Sequence, residues 1–338
     1  MNIFSQNKID TKIIEMLKMS KKKILFICGS LNQTTMMHKI SKHLEGYDLF
    51  FTPYYSDGFL NVLAKAGLLD FTILGKNSEF QKQTEKYLNN HNLEIDFAGS
   101  KNDYDLVLTC SDLIIPKNIK QKKLILVQEG MTDPENLMYY IVKTLKLPRY
   151  LASTSTTGLS NAYNVFCVAS EGYKKLFIKK GVSPDKIKVT GIPNFDNAKE
   201  YLKNNFPYNN FCLVATSDTR ETFKIENRKR FILNALRIAD GREIIFKLHP
   251  NENEIRSRKE INKYAPNALV YANGNINHMI ANCNTLVTKY SSVVYVGIAL
   301  NKEVYSDFNL EQLKELTPIQ NGGKSAENIA NICKEYLE

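Results

Sequence analysis

Short, continuous apolar runs recur along this 338-residue chain, with polar or helix-periodic segments between them. Continuous runs suit parallel strands that are covered on both faces, whereas a strand with one solvated face would alternate. The pattern therefore predicts strand, turn and helix in repetition, which is an α/β architecture. The runs of the first half are KKILFICGS, YDLFFTPY, YDLVLTC, KKLILVQEG and NVFCVAS, and those of the second half are NFCLVATS, REIIFKLHP, NALVYAN, NTLVTKYSS and KEVYSD.

The two series of runs predict two Rossmann-like, doubly wound domains that face a cleft. We place the first domain at residues 1–196, a polar linker at 197–210, the second domain at 211–320 and a terminal helix at 321–338. Ligands of such sheets bind at the carboxyl ends of the strands. Two facing sheets would suit a reaction of two substrates.

Composition narrows the class of protein. Hydrophobic residues make up 43% of the chain and charged residues 24%, as in soluble globular proteins. We expect no signal peptide and no membrane span, because no apolar run is long enough. The six cysteines lie mostly in apolar runs and none has metal-ligand spacing, which indicates core thiols in a reducing, cytoplasmic compartment.

The formal net charge of +10 favours anionic partners, such as nucleotides, phosphorylated acceptors or an anionic membrane face. Lysines scattered on solvated helix faces explain the charge equally well. A peripheral contact of Lys21–Lys23 with the inner face of the membrane therefore stays open. We expect no nucleic acid partner, because no zinc-finger or RNP motif is present.

Candidate site residues follow the predicted strands of the first half. Gly29 and Ser30 follow ILFIC, where a glycine lets backbone N–H groups approach a phosphate or an acceptor; a plain strand-to-helix turn is the alternative. Glu129 follows LILVQ, and Asp133 comes four residues later. A carboxylate at a strand end can act as a general base or a nucleophile, and an exposed turn acid is the alternative.

The second half shows the same arrangement. His249-Pro250 follows EIIFKL, and the proline restricts the histidine to extended conformations that aim its ring out of the strand. Such a histidine could hold a phosphate or protonate a leaving group; a capping histidine is the alternative. Two further strand ends carry hydroxyls and a cation suited to a phosphate: Thr216, Ser217 and Arg220 after CLVA, and Ser291 and Ser292 after NTLVT, preceded by Lys289 and Tyr290.

The segment FCVASEGYKKLFIKKGVSPDKIKVTGIPNFDN resembles the closing part of the first domain in GT-B glycosyltransferases and in non-hydrolysing UDP-N-acetylglucosamine 2-epimerases. The shared pattern is a strand, a helix and G-V-x-x-x-K-I-x-V-T-G-x-P. The resemblance in organisation extends from Lys21 to the C-terminal helix. It implies the GT-B fold, with an acceptor-side first domain and a nucleotide-donor second domain.

Three motifs occur in the order found in bacterial sialyltransferases and similar Kdo transferases: QEG at 128–130, His249-Pro250 and Ser291-Ser292. CDP-glycerol glycerophosphotransferases look similar around the last two. The resemblance implies that Glu129 is the catalytic carboxylate and that His249, Pro250 and the serines hold the CMP. Gln128 stands where those families have a first acid, which leaves Asp133 as a second candidate.

The resemblance predicts a metal-independent glycosyltransferase that needs no cofactor and moves a CMP-activated Kdo or sialic-acid-like sugar to a cell-surface or lipid-linked glycan. No Asp-x-Asp motif is present, in keeping with metal independence. If the reaction inverts, Glu129 would deprotonate the acceptor. If it retains, a carboxylate there would be the nucleophile.

Besides a CDP-glycerol glycerophosphotransferase, two non-transferase alternatives remain. A UDP-N-acetylglucosamine 2-epimerase would explain the ending NGGKSAENIANICKEYL and, in SDTRET, Arg220 and Glu221. However, Asp218 stands where the epimerase pattern has histidine, and Val296 stands where many GT-B enzymes that use UDP-sugars have a glutamate. The other alternative is a non-catalytic nucleotide- or glycan-binding protein on the same fold.

Overall fold

The computed structural model describes residues 21–53, 55–69, 74–75, 77–217, 219–221, 226–289 and 291–338. Three features of the sequence lie outside these residues. One is the segment 1–20, where the helical spacing of Ile9, Ile13, Ile14 and Leu17 predicts an amphipathic helix; the other two are Asp218 and Tyr290.

Eleven strands lie within the described part of the chain, and ten of them coincide with the apolar runs. They are β1 (Lys23–Ile27), β2 (Asp48–Thr52), β3 (Leu106–Thr109), β4 (Lys123–Val127), β5 (Val165–Val168), β6 (Ile187–Val189), β7 (Cys212–Ala215), β8 (Ile244–Lys247), β9 (Leu269–Tyr271), β10 (Thr285–Thr288) and β11 (Glu303–Tyr305).

Helices connect the strands, and the described residues include four 3-10 helices among them. The α-helices are α1 (Leu31–Ser41), α2 (Gly58–Lys65), α3 (Glu79–Asn90), α4 (Leu137–Leu145), α5 (Glu171–Lys180), α6 (Arg228–Ala239), α7 (Glu254–Tyr264), α8 (Ile276–Asn282), α9 (Val294–Ala299), α10 (Leu310–Leu316) and α11 (Ser325–Leu337). The 3-10 helices are Phe97–Gly99, Arg149–Thr156, Pro184–Lys186 and Ala198–Leu202.

The strands form two sheets. The first has six strands in the order β2-β1-β3-β4-β5-β6, and the second has five in the order β11-β10-β7-β8-β9. In the first sheet, β1 pairs in parallel with β2 and β3, and β3 pairs in parallel with β4. All neighbouring strands of the second sheet are parallel. Every residue of β3, β5, β7, β8 and β10 is buried, which is why these segments are continuously apolar or nearly so.

The chain divides into two compact units. One comprises residues 21–129, 134–166 and 326–338, and the other comprises 130–133 and 167–325. Most of helix α11 therefore belongs to the first unit, where Lys123 Nζ donates a hydrogen bond to the carbonyl of Tyr336, 2.6 Å away. The core of the second unit packs β7, β8 and β10 against α6 and α7, through residues such as Val214, Phe246 and Ile261.

All six cysteines are free and buried, as predicted from their apolar surroundings. Burial raises the pKa of Cys212 to about 11 and the pKa values of Cys167 and Cys283 to about 12. The cysteines are therefore thiols that fill the core. Among the described residues, no helix combines the length and the apolar character needed to cross a membrane.

Candidate functional site

Glu129 in the first unit meets the loop that follows β1. Its carboxylate accepts hydrogen bonds from Ser30 Oγ (3.2 Å), Asn32 Nδ2 (3.1 Å) and Gln33 Nε2 (2.6 Å). The sheet order explains the meeting, because β3 alone separates β1 from β4 and all three strands end at the same edge. The structure thus brings together the glycine-serine turn and the carboxylate that the sequence singled out separately.

The start of helix α1 fixes this arrangement. Ser30 is the N-cap residue, and its hydroxyl accepts a hydrogen bond from the backbone N–H of Gln33. Gln33 Oε1 in turn accepts from the N–H of Gly29, 2.8 Å away. Gln33 was missed in the sequence, although Ser-x-x-Gln before an apolar helix is a signature of a helix start. The amide of Gln33 links the turn to Glu129 and holds the carboxylate in one orientation.

In the second unit, three candidate loops follow three neighbouring strands. Strands β10, β7 and β8 lie side by side in parallel, so their carboxyl ends share one edge of the sheet. Ser291-Ser292, Thr216-Ser217 and His249-Pro250 follow these strands in that order. The predicted grouping at one edge is therefore present within this unit.

The backbone of His249 is held by two hydrogen bonds. Its N–H lies 3.1 Å from Thr216 Oγ1 and 2.9 Å from Glu252 Oε2. The imidazole Nδ1 lies 3.2 Å from the N–H of Asn251 and accepts from it. In the neutral ring the proton therefore sits on Nε2, which makes Nε2 a hydrogen-bond donor. A strand-end donor of this kind suits the oxygen of a phosphate.

Glu252 is the buried centre of the loop. Its carboxylate accepts hydrogen bonds from Thr216 Oγ1, from Ser257 Oγ (3.3 Å) and from the guanidinium of Arg228, besides the N–H of His249. Arg228 is also 3.0 Å from Glu226 Oε2. A carboxylate that accepts this many hydrogen bonds is held in place, and it therefore fixes the position of the His249 backbone N–H. Glu252 was not among the sequence candidates; its position three residues after the histidine was the available signal.

Arg220 is engaged by carboxylates. Its Nη1 lies 2.8 Å from Glu260 Oε1, and its Nε lies 3.5 Å from Glu226 Oε2. Burial works against the charged form, but Glu260, Glu226 and Glu221 together raise the pKa of Arg220 overall. Lys289 adds a further cation 3.9 Å from Glu226. The predicted phosphate-binding arginine is thus part of an ion-pair network behind the loops.

The hydroxyls differ in how they are used. Thr216 is buried, and its hydroxyl donates a hydrogen bond to Glu252 and accepts one from the N–H of His249. Ser217 Oγ lies 2.6 Å from Thr219 Oγ1. Ser291 and Ser292 are half-buried, and helix α9 begins after them, at Val294. The two serines therefore present the more accessible hydroxyls of this edge.

Lys247 is a residue that the sequence reasoning passed over. It ends β8 two residues before His249, and its Nζ donates to the carbonyls of Leu248 (2.7 Å) and Ala272 (2.9 Å). Burial lowers the pKa of Lys247. An apolar strand ending in lysine was the visible signal, and the amine serves to join the ends of β8 and β9.

The remaining candidates are placed as follows. Pro250 is exposed, and Asp133 is half-buried in the loop after β4. Gly130 lies against one of the serines, because a Cβ at this glycine would come 3.7 Å from Ser292 Cβ. The roles given to all these residues remain predictions.

Comparison with solved structures shows the fold. A Listeria monocytogenes protein provisionally assigned as a UDP-N-acetylglucosamine 2-epimerase has a TM-score of 0.61 at 13% identity, over 95% of this chain and 97% of that chain. The UDP-GlcNAc 2-epimerase of Neisseria meningitidis bound to UDP-GlcNAc has a TM-score of 0.58 at 12% identity, over 93% and 100%. A variant of the wall teichoic acid polymerase TagF has a TM-score of 0.51 at 13% identity, over 94% and 89%.

No family model matches the sequence. No curated protein matches it either. The chain has the predicted GT-B fold, with one parallel sheet of six strands and one of five, as in the epimerases and TagF. The predicted resemblance to CMP-sugar transferases has no counterpart among these three structures.

Proposed function

We propose that this chain is an enzyme that acts on a sugar activated by a pyrimidine nucleotide. The observation that carries the proposal is the placement of His249 after β8 and of Ser291 and Ser292 after β10, the two parallel strands that flank β7 in the second sheet. Such edges bind ligands in open α/β sheets. The shared fold adds support, because one similar structure is named as bound to UDP-GlcNAc and another as a co-structure with UDP.

His249 and the two serines would hold the phosphates. Nε2–H of the neutral imidazole donates to a phosphate oxygen. The serine hydroxyls supply further donors. Glu252 and Arg228 stay behind the loop and position it, and in this proposal Arg220 contributes through its charge. The proposal keeps the sequence-based expectation that the reaction uses no metal or other cofactor.

The reaction we place first is 2-epimerisation of a UDP-N-acetylhexosamine. Likeness to epimerases extends over nearly the whole of both chains and supports this choice. The reaction inverts one carbon centre and consumes no second substrate. Glu129 is the carboxylate that we assign to proton transfer, because three donors hold it at the end of β4.

A transferase reaction is the second candidate, and one residue favours it. Val296 is a buried apolar residue at the place where UDP-sugar enzymes carry a glutamate, so it offers no carboxylate to a ribose. Likeness to TagF also fits a cytidine-activated donor, since one TagF structure is named for a CDPG soak. For a transferase, the donor is a CDP-linked group or, as the motifs suggest, CMP-linked Kdo or sialic acid. The acceptor is a glycan.

The test is the thermal unfolding midpoint with UDP, CDP, CMP and ADP, followed by turnover of UDP-N-acetylglucosamine monitored by NMR. A nucleotide that binds only the native state, present at a concentration of about 100 times its Kd, stabilises that state by about 2.7 kcal/mol. We expect a shift with UDP and formation of the 2-epimer. A shift with CDP or CMP alone would select the transferase, and no shift with any pyrimidine nucleotide would contradict the proposal.

His249→Ala supplies the site-specific control. Loss of a hydrogen bond to a charged group costs about 1.5–3 kcal/mol, so the Kd should rise by roughly tenfold to a hundredfold. His91→Ala, at an exposed histidine of the first unit, should leave the Kd unchanged. Equal binding by both variants would remove His249 from the site.

A further inference from the structure

Helix α4 presents an unusual number of apolar side chains to solvent. Its Val142 and Tyr139 point into the core, but Leu137, Met138 and Leu145 are exposed, the first to 76% and the last to 65%. A helix on the surface of a soluble domain normally shows polar residues on this side. The exposed face of α4 is therefore built for contact with something other than water.

The segment after α4 extends the same surface. Leu147, Tyr150 and Leu151 are also exposed. Arg149 holds the segment in place, because its Nη2 donates to the carbonyl of Asp112, 2.6 Å away. Residues 137–151, here called the α4 surface, carry seven of the sixteen exposed large hydrophobic side chains in the described part of the chain. So high a share in fifteen residues marks one patch rather than scattered exposure.

Basic groups border the apolar residues. Lys143, Lys146 and Arg149 lie within the α4 surface, and Glu135 is the acidic residue closest before it in the sequence. Lys143 Nζ donates a hydrogen bond to Tyr139 Oη, 3.3 Å away on the same helix, and Lys146 is exposed at the C-terminal end of the helix. Apolar side chains flanked by lysine and arginine, with tyrosines among them, have the composition of a segment that lies in the interface of an anionic bilayer.

We propose that the α4 surface docks the protein on anionic phospholipid membranes. The leucines and Met138 enter the boundary between headgroups and acyl chains, and the exposed Lys143 and Lys146 meet the lipid phosphates. Charge decides between this partner and a second copy of the chain. A two-fold interface would bring together two copies of the same positively charged surface, whereas an anionic membrane neutralises that charge.

Such docking would restrict the enzyme to substrates or acceptors at the membrane surface. It differs from the contact at Lys21–Lys23 suggested by the sequence, because it depends on apolar side chains as well as on charge. The inference is independent of which nucleotide the second unit binds. Failure of one proposal therefore leaves the other untouched.

The experiment is co-sedimentation of the full chain with vesicles of phosphatidylcholine alone and with phosphatidylglycerol added. We expect binding to the anionic vesicles, weaker binding in high salt, and weak binding to the neutral ones. Leu137→Glu combined with Leu145→Glu should abolish binding. Lys146→Ser should weaken it about fivefold, because one cation near the surface contributes about that factor.

Ile255→Glu is the matched control, since Ile255 is 84% exposed on helix α7 in the second unit. It should bind vesicles as the wild type does. Unfolding midpoints close to that of the wild type would show that the variants are folded. Binding by the double variant, or no binding by the wild type, would overturn the proposal. So would a wild-type dimer that the double variant converts to monomer without vesicle binding.

Discussion

Glu252 connects the His249 loop to the end of β7 through a carboxylate that is fully shielded from solvent. Its hydrogen bonds join Thr216, His249 and Arg228, which lie in different segments of the second unit. A buried carboxylate is stable only with such partners, since desolvation of an unpaired charge is costly. The hydrogen bonds that stabilise the buried charge of Glu252 therefore also fix the backbone position of the candidate phosphate site.

We expect Glu252→Gln to lower the free energy of unfolding by about 3 kcal/mol, because among the described residues it leaves Arg228 with Glu226 as its ion-pair partner. Nucleotide-induced stabilisation should fall as well, since the His249 loop loses its anchor. The control is Glu254→Gln, two residues away in an exposed pair with Arg258, where a change below about 0.5 kcal/mol is expected. Denaturant titration measures both, and equal effects would contradict the assignment.

His38 makes the stability of the first unit sensitive to pH. Burial, together with the positive charges of Lys42 and His91, lowers the pKa of His38 to about 4. The unfolded chain binds this proton near pH 6.5, so protonation favours unfolding between these values. The stabilising contribution is present above pH 6.5 and is lost as the pH falls toward 4.

With allowance for solvent screening, the free energy of unfolding should fall by about 1–2 kcal/mol over that interval on account of His38. His38→Gln should remove this part of the pH dependence, because glutamine does not titrate. Denaturant titrations at several pH values between 4 and 7 provide the measurement. A slope that is the same in the variant and the wild type would show that other groups are responsible.

Helices α5 and α10 approach each other at a glycine. A Cβ on Gly172 would lie 2.1 Å from the carbonyl oxygen of Glu315, and Ser170 Oγ donates to the same carbonyl and to that of Leu316, each at 3.3 Å. The clash is with backbone, which cannot rotate away as a side chain can. The start of α5 and the end of α10 are therefore fitted to each other without room for a methyl group.

Gly172→Ala should destabilise the protein by about 2 kcal/mol, the usual cost of forcing an extra carbon into a packed contact. The control is Lys175→Ala on the exposed side of the same helix, which also introduces an alanine but without this clash, and so measures the effect of helix propensity alone. The alanine at residue 175 should have an effect near zero or slightly stabilising. If Gly172→Ala behaves in the same way, the two helices are not in tight contact.

The whole molecule shields its thiols. All six cysteines are buried, and desolvation raises the pKa of each one for which the shift is resolved, including Cys110. Thiolate is the reactive form, so both access and ionisation are suppressed. Titration with an aromatic disulfide should therefore find almost no reactive thiol in the native protein and six in guanidinium chloride. One thiol that reacts rapidly and stoichiometrically under native conditions would contradict this.

The strands could be read from the sequence because each segment carries the evidence for its own burial. VFCV and CLVA are apolar throughout and LVLT is apolar up to its last residue, and a segment of this kind is stable where both faces of a sheet are covered. The positions of Gly29, Glu129, His249 and the serines followed from the same reasoning, since polar residues that end parallel strands lie at a common edge.

The partners of these residues could not be read in this way. In HPNENE, Glu252 and Glu254 look alike, yet one is buried against Thr216 and Arg228, which are 36 and 24 residues away, and the other is exposed. Likewise, LMYYIVKTL is apolar enough to be a core helix, but it presents Leu137 and Leu145 to solvent. Local pattern reports what one segment prefers; strand order and packing determine which distant residues it meets and which of its faces stays uncovered.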